Sequence, residues 1–330
     1  MPNQFIPTRI KASNEDSSAE RYGHMSPNHE NCPHNEISGL SVSARDASCS
    51  EASRQGGLAH GGGSSDVVID GASYLPSRHT VPIVSVDMLD EGVVQLVIRD
   101  RYIAEHAQPA QFANLYTHDG LRLMPRPFGI CEIHGDEVSF VFAIVGAGTA
   151  QFSRLKAGDR IDVLGPLGTS FDLDASARYL LVGGGLGVPP LIQAAQELHR
   201  EGRTEQVTAI FGYRRNHFAD AIVGRYTEDV RSIDETEGNV ITVLDRMEDE
   251  LAQGSDRIVI LSCGPTPMMK AIAGWASRRS IPTQFNLEER MGCGYGTCVV
   301  CVVDTIHGRK KVCLDGPVFT AQELGWEDEK

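Results

Sequence analysis

The chain has 330 residues and a formal net charge of -14, enough length for two or three compact domains that each bury a core. The acidic excess argues against nucleic acid or an anionic membrane surface as a partner, since both recruit patches of Lys and Arg. The opening MPNQFIPTRIKASNED lacks the apolar core of a signal peptide, and every later apolar run is broken well short of a membrane span, so a soluble cytoplasmic protein is expected.

Residues 1–78 are rich in Ser, Gly, Asn and His, include GGLAHGGGSS, and show neither helical nor strand periodicity. Such a stretch cannot bury enough apolar surface to offset its ordering entropy, and a disordered extension is expected. His24, His29, Cys32 and His34 are too loosely strewn there to be read as a metal site.

From Thr80 the texture changes to short runs of β-type residues: VPIVSVDML, VVQLVIRD, QFANLYTH, EVSFVFAIV and DRIDVLG. Strands at this spacing, separated by Gly, Asp and Pro, predict an antiparallel barrel over 79–174. Beyond it, YLLVGGG leads into PPLIQAAQELHREG, followed by the runs QVTAIFGY and NVITVL, and then RIVILSCG leads into PTPMMKAIAGWASRR. This alternation predicts a parallel α/β domain over 175–281. The remainder, 282–330, holds four of the eight cysteines among glycines, and a metal centre is expected to organise it. The fold class is therefore α+β and multidomain.

The cysteine segment carries the strongest signal. In EERMGCGYGTCVVCVV and the following KVCLDGPVF, Cys293, Cys298, Cys301 and Cys313 form C-x4-C-x2-C and a fourth Cys after eleven residues. That is the plant-type 2Fe-2S spacing, whereas structural zinc sites usually present two separated short Cys pairs. Gly292, Gly294 and Gly296 would let backbone N–H groups approach the sulfurs of a reduced cluster. Cys131 lies beside an apolar run and reads as an inert buried thiol.

LLVGGGLGVPPL places the glycines Gly183, Gly184, Gly185 and Gly187 between a strand and a helix, with Pro189 and Pro190 suited to the helix's first turn. Glycines there let the backbone approach a pyrophosphate, whose charge the helix N-terminus favours. In the barrel region, RPFGI supplies Arg126 as a possible phosphate fork, and VGAGT offers a Gly-rich turn ending in the Thr149 hydroxyl. Each could equally be an ordinary surface Arg or turn.

Together RPFGI, VGAGT, VLGPLG, VGGGLGVPPL, SCGPTPMMKA and the cysteine segment resemble the electron-transfer subunits of the two-subunit, NAD-dependent dihydroorotate dehydrogenases. These fall within the ferredoxin reductase-like superfamily, and the resemblance runs from about Thr80 to Phe319. It implies a barrel for FAD, an α/β domain for NAD and a 2Fe-2S domain facing a partner. Carried over, Arg126, Pro127, Phe128 and Gly129 border the flavin, Gly148 and Thr149 bind its phosphates, and the four cysteines ligate iron. Gly183 to Gly187 lie under the NAD pyrophosphate, with Cys263, Gly264 and Pro265 near the nicotinamide. Phe142, Ala143 and Ile144 are counted among the flavin contacts, although the family tends to place an Arg there. Gly129 stands where the family has Ser or Thr, which leaves flavin tuning open, and LDRMEDE replaces the family's Asp-Gly-Ser stretch.

The resemblance further implies a catalytic dihydroorotate dehydrogenase subunit carrying FMN as partner, in a heterotetramer of two chains of each kind, serving pyrimidine biosynthesis. No general acid, base or nucleophile is then needed in this chain. Two other readings stay open: an NAD(P)H-ferredoxin oxidoreductase or sulfhydrogenase subunit with another partner, and a regulatory protein that keeps the fold without turnover.

Overall fold

In the computed structural model the described residues are 76–118, 120, 122–173, 176–254 and 257–327. The extension expected over 1–78, with its His and Cys residues, falls outside them except for 76–78.

Six strands close into an antiparallel barrel: β1 (His79–Asp90), β2 (Val93–Arg99), β3 (Phe112–Tyr116), β4 (Arg126–His134), β5 (Glu137–Ala143) and β6 (Arg160–Leu167), in the order β1-β2-β5-β4-β3-β6. Two short helices, α1 (Arg101–His106) and α2 (Ala147–Phe152), fill connections. On β2, Val94, Leu96 and Ile98 are buried while their neighbours are partly open, the period of two that a barrel wall requires. Inside, Phe128 stacks on Phe142 at 4.8 Å between centroids and Phe152 meets both edge-on. RPFGI, absent from the runs read as strands, opens β4. Pro127 and Gly129 hide β4 from a propensity reading, and the pairing of β4 with β3 and β5 decides it.

The second sheet has seven strands. The chain runs through β7 (Ala177–Gly184), α3 (Pro189–Arg200), β8 (Val207–Tyr213), α4 (Asp220–Val223), β9 (Asp229–Val230) and β10 (Ile233–Asp234). It continues through α5 (Val240–Arg246), α6 (Glu248–Gln253), β11 (Arg257–Cys263), α7 (Thr266–Ser277), β12 (Thr283–Asn286), the hairpin β13 (Val302–Thr305) and β14 (Gly308–Lys311), and β15 (Val318–Thr320). The order β10-β8-β7-β11-β12-β15, with β9 beside β8, is parallel except for β15. The sheet is therefore mixed, and the C-terminal segment contributes β12 and β15 to it. Phe285 and Phe319, opposite each other in register, are both buried, which at about 1.5–3 kcal/mol apiece ties that segment to the α/β core.

The run NVITVL, expected as a strand, is helix α5. Asn239 Oδ1 accepts from the Ile241 and Thr242 N–H groups at 2.9 and 3.4 Å, and Thr242 Oγ1 accepts from the Asn239 N–H at 3.3 Å. This reciprocal cap, with Val240, Val243 and Leu244 buried on one face, overrides the β-branched composition. Among the described residues no helix is long and apolar enough to cross a membrane.

Candidate functional site

A cavity of about 250 Å³ opens between the two sheets. One wall is barrel: Pro127, Phe128 and Gly129 of β4, Phe142 and Ala143 of β5, and Val145 and Thr149 around the start of α2. The other wall is Leu186, Pro189 and Pro190 at the start of α3, and the floor includes Asn286 at the end of β12 with Leu287 to Glu289 and Met291 beyond it. Its mostly apolar wall with a few polar groups is the surface a flat aromatic ring requires. A Cβ on Gly129 would lie 3.3 Å from Pro190 Cδ, so the glycine lets α3 seat closely against β4. Phe142 contributes to this wall and to the barrel core at once.

Other expected residues sit beside the cavity. Arg126 lies along the backbone of Gly148, where a Cβ would meet Nε at 2.7 Å, and its Nη1 donates to the carbonyls of Met124 and Pro125. The Thr149 hydroxyl accepts from the N–H groups of Val145 and Gly146 at 2.9 and 3.1 Å and donates to the Gly146 carbonyl at 3.0 Å. It thus closes its own turn. Ile144 is outside the lining, its N–H bonded to the Gly92 carbonyl at 2.8 Å.

The two nucleotide-type turns meet at the carboxyl ends of adjacent parallel strands, with Gly183 opposite Cys263 in register. That is where the strand order reverses, the usual place for a ligand crevice. A Cβ on Gly187 would fall 2.4 Å from the Cys263 carbonyl oxygen, and one on Gly184 2.6 Å from Met268 Sδ. Gly185, at φ +55° with nothing nearby, is the open position of the turn. The Cys263 thiol is fully buried, and burial, reinforced by the charge of Glu288, pushes it up. Glu288 faces the cavity, which leaves its surface open, yet protein crowds it closely enough that burial raises its carboxyl above the usual range. Arg214 and Arg215, past the end of β8, are exposed.

The four cysteines come together as two pairs. Cys293 and Cys298 exchange backbone-to-sulfur contacts of 3.5 and 3.4 Å, and Cys301 Sγ lies 3.3 Å from Cys313 Sγ. The Gly296 N–H donates to Cys313 Sγ at 3.1 Å. Burial raises the Cys293 thiol, but the N–H groups of Cys298, Tyr295 and Thr297 outweigh it and bring the thiol down to about 6. Cys313, desolvated and beside Cys301, is pushed up to about 12. Among the described residues no three His, Cys, Asp or Glu side chains are grouped to hold a metal ion together. Two thiol pairs with inward N–H donors are the donor set a two-iron centre takes, one pair per iron, so the residues present fit such a group.

Three residues of the site had no motif to announce them. Asn114 of β3 donates to the Cys293 carbonyl at 2.9 Å and so ties the barrel to the cysteine loop. Gln196 of α3 brackets β4, accepting from the Ile133 N–H at 2.9 Å and donating to its carbonyl at 3.0 Å. Buried Glu132 accepts from the Tyr226 hydroxyl at 2.6 Å and from Arg225 at 3.0 Å, and Tyr226 in turn accepts from Gln196 at 3.1 Å. This network holds the cavity wall against the glycine-turn helix. Only Glu288, at the head of the EERM run, had a sequence signal close enough to find it.

A family profile described as the iron-sulfur cluster binding domain of dihydroorotate dehydrogenase B matches residues 288–325. The electron transfer subunit of dihydroorotate dehydrogenase B (NAD(+)) from Geobacillus thermodenitrificans is 36% identical over 257 residues, covering 75% of this chain and 98% of that protein. Its counterpart from Listeria monocytogenes is 38% identical over 245 residues, covering 71% and 93%. Among solved structures, a chain from the NADH-dependent reduced ferredoxin-NADP oxidoreductase superposes with a TM-score of 0.64 at 28% identity, over 78% of this chain and 92% of that one. The near-complete coverage of these relatives and the matching cysteine segment agree, and the chain belongs to the family of dihydroorotate dehydrogenase B electron transfer subunits.

Proposed function

We propose that this chain channels electrons from dihydroorotate oxidation, carried out on an FMN-bearing partner subunit, through a 2Fe-2S cluster and FAD to NAD in pyrimidine biosynthesis. The observation that carries this is the pairing of the four cysteine sulfurs on a loop bonded, through Asn114, to the barrel that walls the cavity. When bound, a flavin supplies the junction between one-electron and hydride chemistry that neither a cluster nor a nicotinamide can make alone.

The chain's own residues divide the work. Cys293 and Cys298 would hold one iron and Cys301 and Cys313 the other. Pro127, Phe128 and Gly129 would line the flavin ring, and Phe142 and Ala143 the neighbouring wall. Arg126, once released from its carbonyls, and the N–H groups near Gly148 would meet phosphate oxygens, while Thr149 keeps the turn in shape. Gly183, Gly184, Gly185 and Gly187 would cradle the NAD pyrophosphate, with Cys263, Gly264 and Pro265 walling the nicotinamide. The barrel is then an FAD domain, the α/β sheet an NAD domain and the segment from 282 a cluster-bearing domain.

Tyr295, Val299, Val300 and Leu314 are 50–74% exposed around the half-buried Cys293 and Cys298. An apolar rim around the sulfurs is a surface a partner subunit would cover, in a cytoplasmic heterotetramer of two chains of each kind. The test is reconstitution. The chain loaded with FAD and iron–sulfur should pass electrons from NADH to a dye but leave dihydroorotate untouched until the FMN-bearing subunit is added. Cys301→Ser should abolish the coupled reaction and the iron–sulfur spectrum while sparing part of the dye activity. Coupled turnover surviving without iron would defeat the proposal.

A further inference from the structure

Asn114 is a fully buried polar residue in the barrel wall, flanked on β3 by Ala113 and Leu115. Its main-chain neighbours in register are Pro127 of the cavity wall and Leu164 of β6. Its side chain leaves the barrel altogether. Nδ2 donates to the Cys293 carbonyl at 2.9 Å, across 179 residues of sequence, while Oδ1 has no hydrogen-bond partner among the described residues. Gly294, at φ +78°, makes room for the contact, since a Cβ there would lie 2.4 Å from Nδ2 and 2.7 Å from Oδ1.

Packing alone does not account for this arrangement. A buried acceptor left without a partner carries an unrecovered desolvation cost, and a leucine of similar shape would avoid that cost in a wall already made of apolar side chains. What the amide supplies and a leucine cannot is a donor to one peptide unit. In a trans peptide the C=O and N–H point in opposite directions, so fixing the Cys293 carbonyl toward the barrel turns the Gly294 N–H to the other side of that peptide.

We propose that Asn114 is a positioning residue of the iron–sulfur centre: an outer partner, supplied by the barrel, that sets the Cys293–Gly294 peptide and with it the donor environment of the first ligand. The proposal rests on the iron–sulfur reading of the four cysteines. Partners one step removed from a metal ligand commonly change its affinity 10–100-fold when lost.

The test uses the anaerobically purified full chain and its Asn114→Leu and Asn114→Ala variants, the second being the smaller change should the leucine form not accumulate. Three quantities are read: the electron paramagnetic resonance spectrum of the dithionite-reduced protein, the midpoint potential of that signal, and the rate of iron loss to a chelator. The expected result is altered g-values, a potential shifted to lower values because an N–H donor is no longer held, and iron loss faster by about tenfold or more. A wild-type signal that persists unchanged in both variants, with the same potential and iron retention, overturns the role of Asn114. A wild-type chain without any such signal overturns the iron–sulfur reading itself, and this proposal with it.

Discussion

Replacing Tyr226 by Phe removes one hydroxyl from the network between β4 and α3. In the native chain that hydroxyl donates to Glu132 at 2.6 Å and accepts from Gln196 at 3.1 Å, and His134 Nε2 lies 3.2 Å away. Glu132 keeps Arg225 at 3.0 Å and a long contact from Gln95 at 3.4 Å. Gln196 keeps both bonds to Ile133. The loss is therefore two hydrogen bonds, of which the one to the buried charged Glu132 dominates at about 1.5–3 kcal/mol, with little cavity because the ring remains. At about 2–4 °C per kcal/mol for a unit of this size, the melting temperature should fall by about 3–12 °C. Thermal melts of the FAD-loaded protein at constant pH measure this. A double-mutant cycle with Glu132→Gln then asks whether the two effects couple, and contact residues should show more than about 0.5 kcal/mol of interaction. If Tyr226→Phe changes stability by less than about 0.5 kcal/mol, or the cycle is additive, the network does not clamp the cavity wall to the helix and the reasoning fails.

Three more expectations can be checked directly. His79 Nε2 lies 2.8 Å from buried Asp100, and that hydrogen bond raises its pKa in the fold despite the opposing effect of burial. Its stabilisation is full below the unfolded value of about 6.5 and is lost as pH rises through the higher folded value, so the melting difference between wild type and His79→Gln should shrink from pH 6 to pH 9. A difference independent of pH would contradict the pairing. Gly187→Ala would drive a Cβ to 2.4 Å from a carbonyl oxygen of the neighbouring turn, so about 1–3 kcal/mol of stability should be lost and the KM for NADH should rise. Unchanged melting and KM would show that the two turns have room to separate. Exposed Arg214 and Arg215 could accept a 2′-phosphate, yet the family membership points to NADH, and kcat/KM should be higher for NADH than for NADPH. The opposite order would favour a reductase with another partner.

The sequence alone carried whatever depends on neighbours along the chain. The alternation of β2 and the proline start of α3 are local patterns, and both reappear where they were expected. Local pattern misled where a tertiary partner or a cap outweighed propensity: NVITVL became a helix under its Asn239 cap, and RPFGI became a strand because two neighbours paired with it. The candidate site was legible in its glycines and cysteines but not in what surrounds them. Arg126 rests on carbonyls beside Gly148, Thr149 spends its hydroxyl on its own turn, and Glu288 and Pro190 help enclose the cavity. Phe319 pairs with Phe285 to bring the C-terminal segment back into the sheet, and Asn114 reaches Cys293 from 179 residues away. Contacts of that range follow from how the barrel closes and how the sheet is ordered, and no periodicity or spacing within one segment encodes them. Sequence thus set the chemistry this chain can hold, and the tertiary structure decided which wall, helix and strand hold it in place.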